Sequence, residues 1–168
     1  MDQQRPRIVV GVDGSPGSRA ALAHALRDAA RRGASVEVVV AYAPPEYWMP
    51  MAGPPAVSLD EIRAGLRRQA AEFVREVTDQ LEDAPAHEPE VTITAVTDGA
   101  AEALIDAAKG ADLLVVGSRG RGGFASMVLG SVSLQCVLHA PCPVTVVRPA
   151  PSEKAAAQAT AGAQPASG

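Results

Sequence analysis

Apolar residues come along this chain in two rhythms. Short, nearly unbroken aliphatic runs occur at residues 7–13 (RIVVGVD), 36–42 (VEVVVAY) and 112–117 (DLLVVG). Runs of that length, rich in branched side chains, are the pattern of strands buried on both faces in a parallel sheet. Residues 91–96 (VTITAV) alternate aliphatic side chains with threonine, and residues 143–147 (PVTVV) are short and open with Pro143, which has no N–H for a ladder. Both suit the edges of a sheet.

Between the strands the apolar period lengthens to that of a helix. The first helix has Ser15 at its N-cap, Pro16 at its first position, Leu22, Ala25, Leu26 and Ala29 on one face, and Gly33 as its stop. Ser58 and Glu61 form a capping box ahead of Ile62, Leu66, Phe73, Val77 and Leu81, and Asp98 caps a shorter helix carrying Ala101, Leu104, Ile105 and Ala108. Residues 131–139 make a fourth helix, stopped by Pro141.

The alternation of strand and helix, with right-handed crossovers, predicts a single α/β domain. It has a five-stranded parallel sheet of order 3-2-1-4-5 and helices on both faces. In such a sheet ligands bind beyond the carboxyl ends of the strands where the order reverses. Strands one and four, ending at Asp13 and Gly117, therefore open onto one crevice. The domain is expected over residues 6–148, after a flexible 1–5. Residues 149–168 contain no Val, Ile, Leu, Met or aromatic side chain, so they are expected to form a disordered Ala/Pro-rich tail.

Charge narrows the function. Fifteen basic and 19 acidic residues give a net −4 with no basic stripe, which argues against nucleic acid as a partner. The N-terminus has no cationic stretch followed by an apolar one, and no apolar run approaches the length of a membrane span, so the chain reads as soluble and cytoplasmic. The spacing of Cys136 and Cys142 matches neither a zinc site nor a redox pair, which leaves them as small apolar filler. His24 and His87 are expected to face solvent and His139 to complement the last turn of its helix, so no histidine is a candidate catalytic group.

The chemistry concentrates in residues 115–133, VVGSRGRGGFASMVLGSVS, where five glycines follow the fourth strand and precede a helix. Glycines let consecutive backbone N–H groups converge on an anion, and the helix terminus adds partial positive charge. The segment is neither a P-loop nor a dinucleotide fingerprint. Gly117-x2-Gly120-x9-Gly130-Ser131 instead resembles the glycine pattern of the universal stress proteins, in their ATP-binding subgroup. The opening VVGVDGS and the ending HAPCPVTVVR agree with that family, so the resemblance spans nearly all of the folded region.

The resemblance implies a Rossmann-like domain of the universal stress protein type, and it implies roles for particular residues. Gly11 and Val12 supply close backbone, Asp13 a polar contact near ribose or adenine, and Ala41 and Tyr42 the adenine pocket. Gly117, Ser118, Arg119, Gly120, Arg121, Gly122 and Gly123 surround ribose and phosphates. Gly130, Ser131 and Val132 give N–H groups to phosphate oxygens, joined by the Ser131 hydroxyl. Arg119 leans toward the phosphates, whereas Arg121 either clamps them or stays solvated. The ligand is ATP, or ADP or AMP, with Mg held by water and phosphate oxygens. The expected function is a stress-response regulator that senses or stores adenine nucleotide, the alternative being a slow ATP hydrolase. A homodimer is implied through the last strand, residues 143–147. Tyr47, Trp48 and Met49, in the proline-rich stretch 44–57, suit a surface anchor or a cover over the base.

Overall fold

The computed structural model describes residues 5–42, 58–81, 88–121 and 128–150. Nine elements follow one another: β1 (Arg7–Gly11), α1 (Pro16–Arg32), β2 (Ser35–Ala41), α2 (Leu59–Asp79), β3 (Val91–Val96), α3 (Ala100–Ala107), β4 (Leu113–Gly117), α4 (Ser131–His139) and β5 (Val144–Val147). The strands form one sheet in the order β3-β2-β1-β4-β5, all pairs parallel. The architecture is the one expected from the alternation of apolar runs. Val12, Tyr47, Trp48 and their neighbours divide differently: Val12 is buried beyond the end of β1, whereas residues 43–57 lie outside the described residues, as do His87 and residues 151–168.

Side chains that alternate along each strand feed two separate cores. Ile8, Val10, Val36, Val38 and Val115 pack with Leu22, Ala25 and Leu26 of α1 and Val77 of α2. Val9, Val39, Leu114 and Val116 pack on the other face with Leu104 of α3 and Cys136 of α4. Each fully buried aliphatic side chain contributes about 1.5–3 kcal/mol, so the central strands carry most of the stabilising burial.

Helix ends follow local chemistry. Ser15 caps α1 by accepting the Ser18 N–H at 3.1 Å, and Gly33 ends it in the left-handed region at φ 65°. The capping box of α2 is complete, with Ser58 N–H donating to Glu61 at 2.9 Å and Glu61 N–H to Ser58 Oγ at 3.2 Å. The expected cap of α3 is corrected: Gly99, not Asp98, is the N-cap, because the Asp98 carboxylate accepts the adjacent Gly99 N–H at 2.7 Å and does not reach the first turn. The far end of α3 is fixed by Arg7, which donates to the carbonyls of Ala107 at 3.0 Å and Lys109 at 2.8 Å while pairing with Glu37 on β2. Leu104, one turn back along α3, lies against Gly11 at the carboxyl end of β1.

β1 stops at Gly11, two residues short of the expected Asp13. Val12 N–H still reaches the Val39 carbonyl at 3.0 Å, but the Asp13 carboxylate accepts the Ser15 N–H at 3.0 Å and turns the chain into α1. His24 is half-buried on α1 rather than solvent-facing.

Candidate functional site

Where β1 and β4 end, a cleft of about 470 Å³ opens between the turn into α1, α3 and the start of α4. Its wall toward the sheet is apolar, made by Val39, Ala41, Val116, Ala100 and Leu104. Its opposite end is polar, with Asp13, Ser15, Arg119, Arg121 and Ser131. A cleft that is apolar at one end and donor-rich at the other suits a ligand with a flat ring and an anionic tail.

Two close backbone approaches shape the polar end. A Cβ on Gly117 would stand 2.5 Å from the carbonyl carbon of Gly17, and a Cβ on Gly17 would stand 2.3 Å from the Arg119 carbonyl oxygen. The start of α1 thus lies directly against the end of β4. Gly120 meets the Asp13 carboxylate in the same way, its Cβ position 2.5 Å from Oδ2, and the next residue, Arg121, donates its N–H to that oxygen at 3.0 Å. Asp13 therefore ties the β1–α1 turn to the glycine segment. Partial burial works to raise its pKa, but hydrogen bonds from Ser15, from the Arg121 N–H and from Ser18 outweigh it and hold the carboxyl below its ordinary value.

The glycine segment is closed at its base. Ser118 N–H donates to Val147 at 2.7 Å, Gly130 N–H donates to the Ser118 carbonyl at 2.8 Å, and the Ser133 hydroxyl donates to the Gly117 carbonyl at 2.5 Å. Helix α4 then begins at Ser131 with Gly130 at its N-cap and no side-chain cap. Its first N–H groups have no intrahelical acceptor and carry the positive end of the helix dipole. Neither α1 nor α4 has an acidic residue in its first turn to neutralise that field.

A strand-loop-helix of this geometry at the reversal point of a 3-2-1-4-5 sheet agrees with the sequence model of the universal stress protein family, which matches residues 4–148. The chain belongs to the universal stress protein family. A universal stress protein of Mycolicibacterium smegmatis is 36% identical over 149 residues, covering 84% of this chain and 45% of that relative. The chain spans about half the length of the curated relatives it matches. Among solved structures, universal stress protein UspA from Lactobacillus plantarum shares the fold with a TM-score of 0.69 at 24% identity, covering 88% of this chain and all of that one. A universal stress protein solved in complex with cAMP superposes with a TM-score of 0.59 at 26% identity, covering 87% of this chain and 98% of that one.

In this universal stress protein domain the cleft gathers Gly11, Val12, Asp13, Ala41, Gly117, Arg119, Gly120, Arg121, Gly130, Ser131 and Val132 from the expected set. Tyr42 is not on its wall. Val39 and Ala41 face the cleft, and the two-residue period of β2 turns Tyr42 to the other face, where it is 39% exposed. Ser118 is buried and its backbone is engaged on both sides of the loop base. Gly122 and Gly123 lie outside the described residues. The sequence reading missed Gly17, Ser18, Ala100 and Ser133 as site-shaping residues and took Leu104 only as core. A glycine directly after Ser15-Pro16, where helix formers are favoured, is the one signal that pointed to a close approach.

Proposed function

We propose that this domain binds an adenine nucleotide, ATP with Mg, in the cleft between β1 and β4, and that it acts as a nucleotide-dependent stress-response regulator in the cytoplasm. The observation that carries the reading is the pairing of an apolar slot with an uncapped helix terminus across one cleft. The base lies against Val39, Ala41 and Leu104, the ribose beside Asp13, and the phosphates against the N–H groups that open α4. The cAMP complex of the solved relative supports the same ligand class.

Arg119 and Arg121 at the polar end add cationic charge toward the phosphates. Mg is carried by phosphate oxygens and water, since no three metal-ligating side chains come together among the described residues. Asp13 is the one carboxylate on the described cleft wall and is already held by the Ser15 and Arg121 N–H groups. It is a poor general base, which favours binding over hydrolysis.

The test is native mass spectrometry of the purified protein, followed by calorimetric titration with ATP, ADP, AMP and cAMP. Gly120→Ala places a methyl 2.5 Å from the Asp13 carboxylate and is expected to weaken binding about tenfold or more. Absence of binding to all four nucleotides at millimolar concentration refutes the reading. Release of phosphate from ATP at a rate abolished by Gly120→Ala would favour the hydrolase instead.

The outer edge of β5 has no partner strand among the described residues, and α4 beside it exposes Leu134, Val137 and Leu138 at 44%, 48% and 62%. That apolar edge supports a homodimer paired through residues 143–147. A monomer at micromolar concentration by light scattering rejects the dimer.

A further inference from the structure

We propose that Ser133 is a positioning residue for the phosphate half of the cleft, acting through its hydroxyl on Gly117 rather than on the ligand. The inference rests on the reading that the cleft binds an adenine nucleotide.

Helix α4 buries few of its side chains completely. Of its nine residues only Ser133 and Cys136 are buried, and three of its apolar side chains face outward. Cys136 packs into the core under β4 with Val132 partly buried against the same cluster, and the first turn adds a polar tether to these apolar contacts. There Ser133, 5% exposed, donates its hydroxyl to the carbonyl of Gly117 across the loop at 2.5 Å.

Gly117 is a firm anchor. Its Cα side lies against the backbone of Gly17, and the next residue, Ser118, donates its N–H to Val147 on β5. A hydrogen bond to that carbonyl therefore references α4 to the rigid sheet. The hydrogen bond of a helix N–H to an oxygen weakens steeply as its angle departs from linear. Fixing the first turn of α4 thus fixes where its N–H groups meet an anion.

The hydroxyl proton of Ser133 is spent on Gly117, so Ser133 has no hydroxyl donor left for a phosphate although it lines the cleft. Ser131, two residues earlier in the same turn, is exposed, and its hydroxyl is left to meet the ligand. Ser133 therefore separates the two halves of the ligand energetically: it bears on the anionic tail and not on the base, whose wall of Val39, Ala41 and Leu104 it does not set.

The expected result is that Ser133→Ala weakens ATP about tenfold while adenosine binding changes less than about twofold. Ser133→Thr, which keeps the hydroxyl, should return ATP affinity to within about threefold of the parent protein. Calorimetry with ATP and adenosine on the full chain reads this ratio. Equal weakening of both ligands, or no weakening of either, or loss of ATP affinity in both variants alike, overturns the assignment.

A second measurement needs no nucleotide. Hydrogen exchange of the ligand-free protein should show faster exchange at the amides of Gly130 and Leu134 in Ser133→Ala, with Ala140 at the far end of α4 unchanged. Unchanged exchange at Gly130 and Leu134 also overturns it. If the parent protein binds neither ATP nor adenosine, the nucleotide reading fails, and the exchange comparison still decides whether Ser133 holds the helix.

Discussion

Gly17 occupies the second position of α1, and at an open helical site a change from glycine to alanine is favourable by about 1 kcal/mol because the chain gives up less backbone entropy. Gly65, inside α2, is such a site: a Cβ there meets nothing nearer than the Arg68 guanidinium at 3.9 Å. At Gly17 the same methyl lands 2.3 Å from the Arg119 carbonyl oxygen and 3.4 Å from its carbon. The first distance is roughly 1 Å inside van der Waals contact, and the obstacle is backbone rather than a movable side-chain tip. Overpacking of that kind costs about 1–3 kcal/mol, so the propensity gain is cancelled or reversed. We expect Gly65→Ala to stabilise by about 1 kcal/mol and Gly17→Ala to destabilise by about 1–2 kcal/mol. The corresponding displacements of the melting temperature are about 2–4 °C per kcal/mol, in opposite directions. Urea titration with a shared slope measures both. Gly17→Ala should also weaken ATP, because the strain is relieved by moving Arg119 at the mouth of the cleft. A Gly17→Ala protein as stable as Gly65→Ala, with unchanged ATP affinity, refutes the claim that α1 and the glycine segment are in backbone contact.

Two further outcomes follow from the charge and burial of single groups. The Asp13 carboxyl is held below its ordinary 3.8, so the stability it supplies is complete above pH 3.8 and lost as pH falls through its lower value in the folded protein. Asp13→Asn should accordingly flatten the acid limb of an unfolding curve below pH 3.8, and an unaltered limb counts against the Ser15 and Arg121 contacts. Burial pushes the Cys136 thiol up to about 11, so in the folded protein at pH 8 an aromatic disulfide reagent should leave it unmodified until urea is added. Rapid labelling of Cys136 in the native state would mean that α4 does not pack as described.

The strands and most of the helices were legible because the apolar runs keep a single period and α1, α2 and α4 each have a recognisable end. RIVVG cannot be amphipathic at 3.6 residues, and Ser15-Pro16 and Ser58-Glu61 announce their helices. Asp98 misled because a carboxylate one residue early can satisfy its neighbour instead of the helix, a choice of side-chain geometry that composition does not encode. The glycine spacing was enough to bring Gly117, Gly120 and Gly130 onto one cleft wall, since the three belong to one segment. What escaped were contacts between segments far apart in the chain. Gly17 against Gly117 and Ser133 on Gly117 depend on how α1, β4 and α4 converge, and no local pattern states that distance. Tyr42 was misplaced by a single residue of strand period, which is enough to send a side chain to the opposite face.

The hydrogen bond between Ser118 and Gly130 has a practical consequence for anyone wishing to watch this protein work. It brings the two ends of the glycine segment together at 2.8 Å, on a base that belongs to the sheet and to α4 rather than to the residues between. A foreign domain whose own termini lie close together could be spliced between Arg121 and Val128 without asking the base to part. A circularly permuted fluorescent protein grafted there would turn the proposed entry of a nucleotide into a change of brightness.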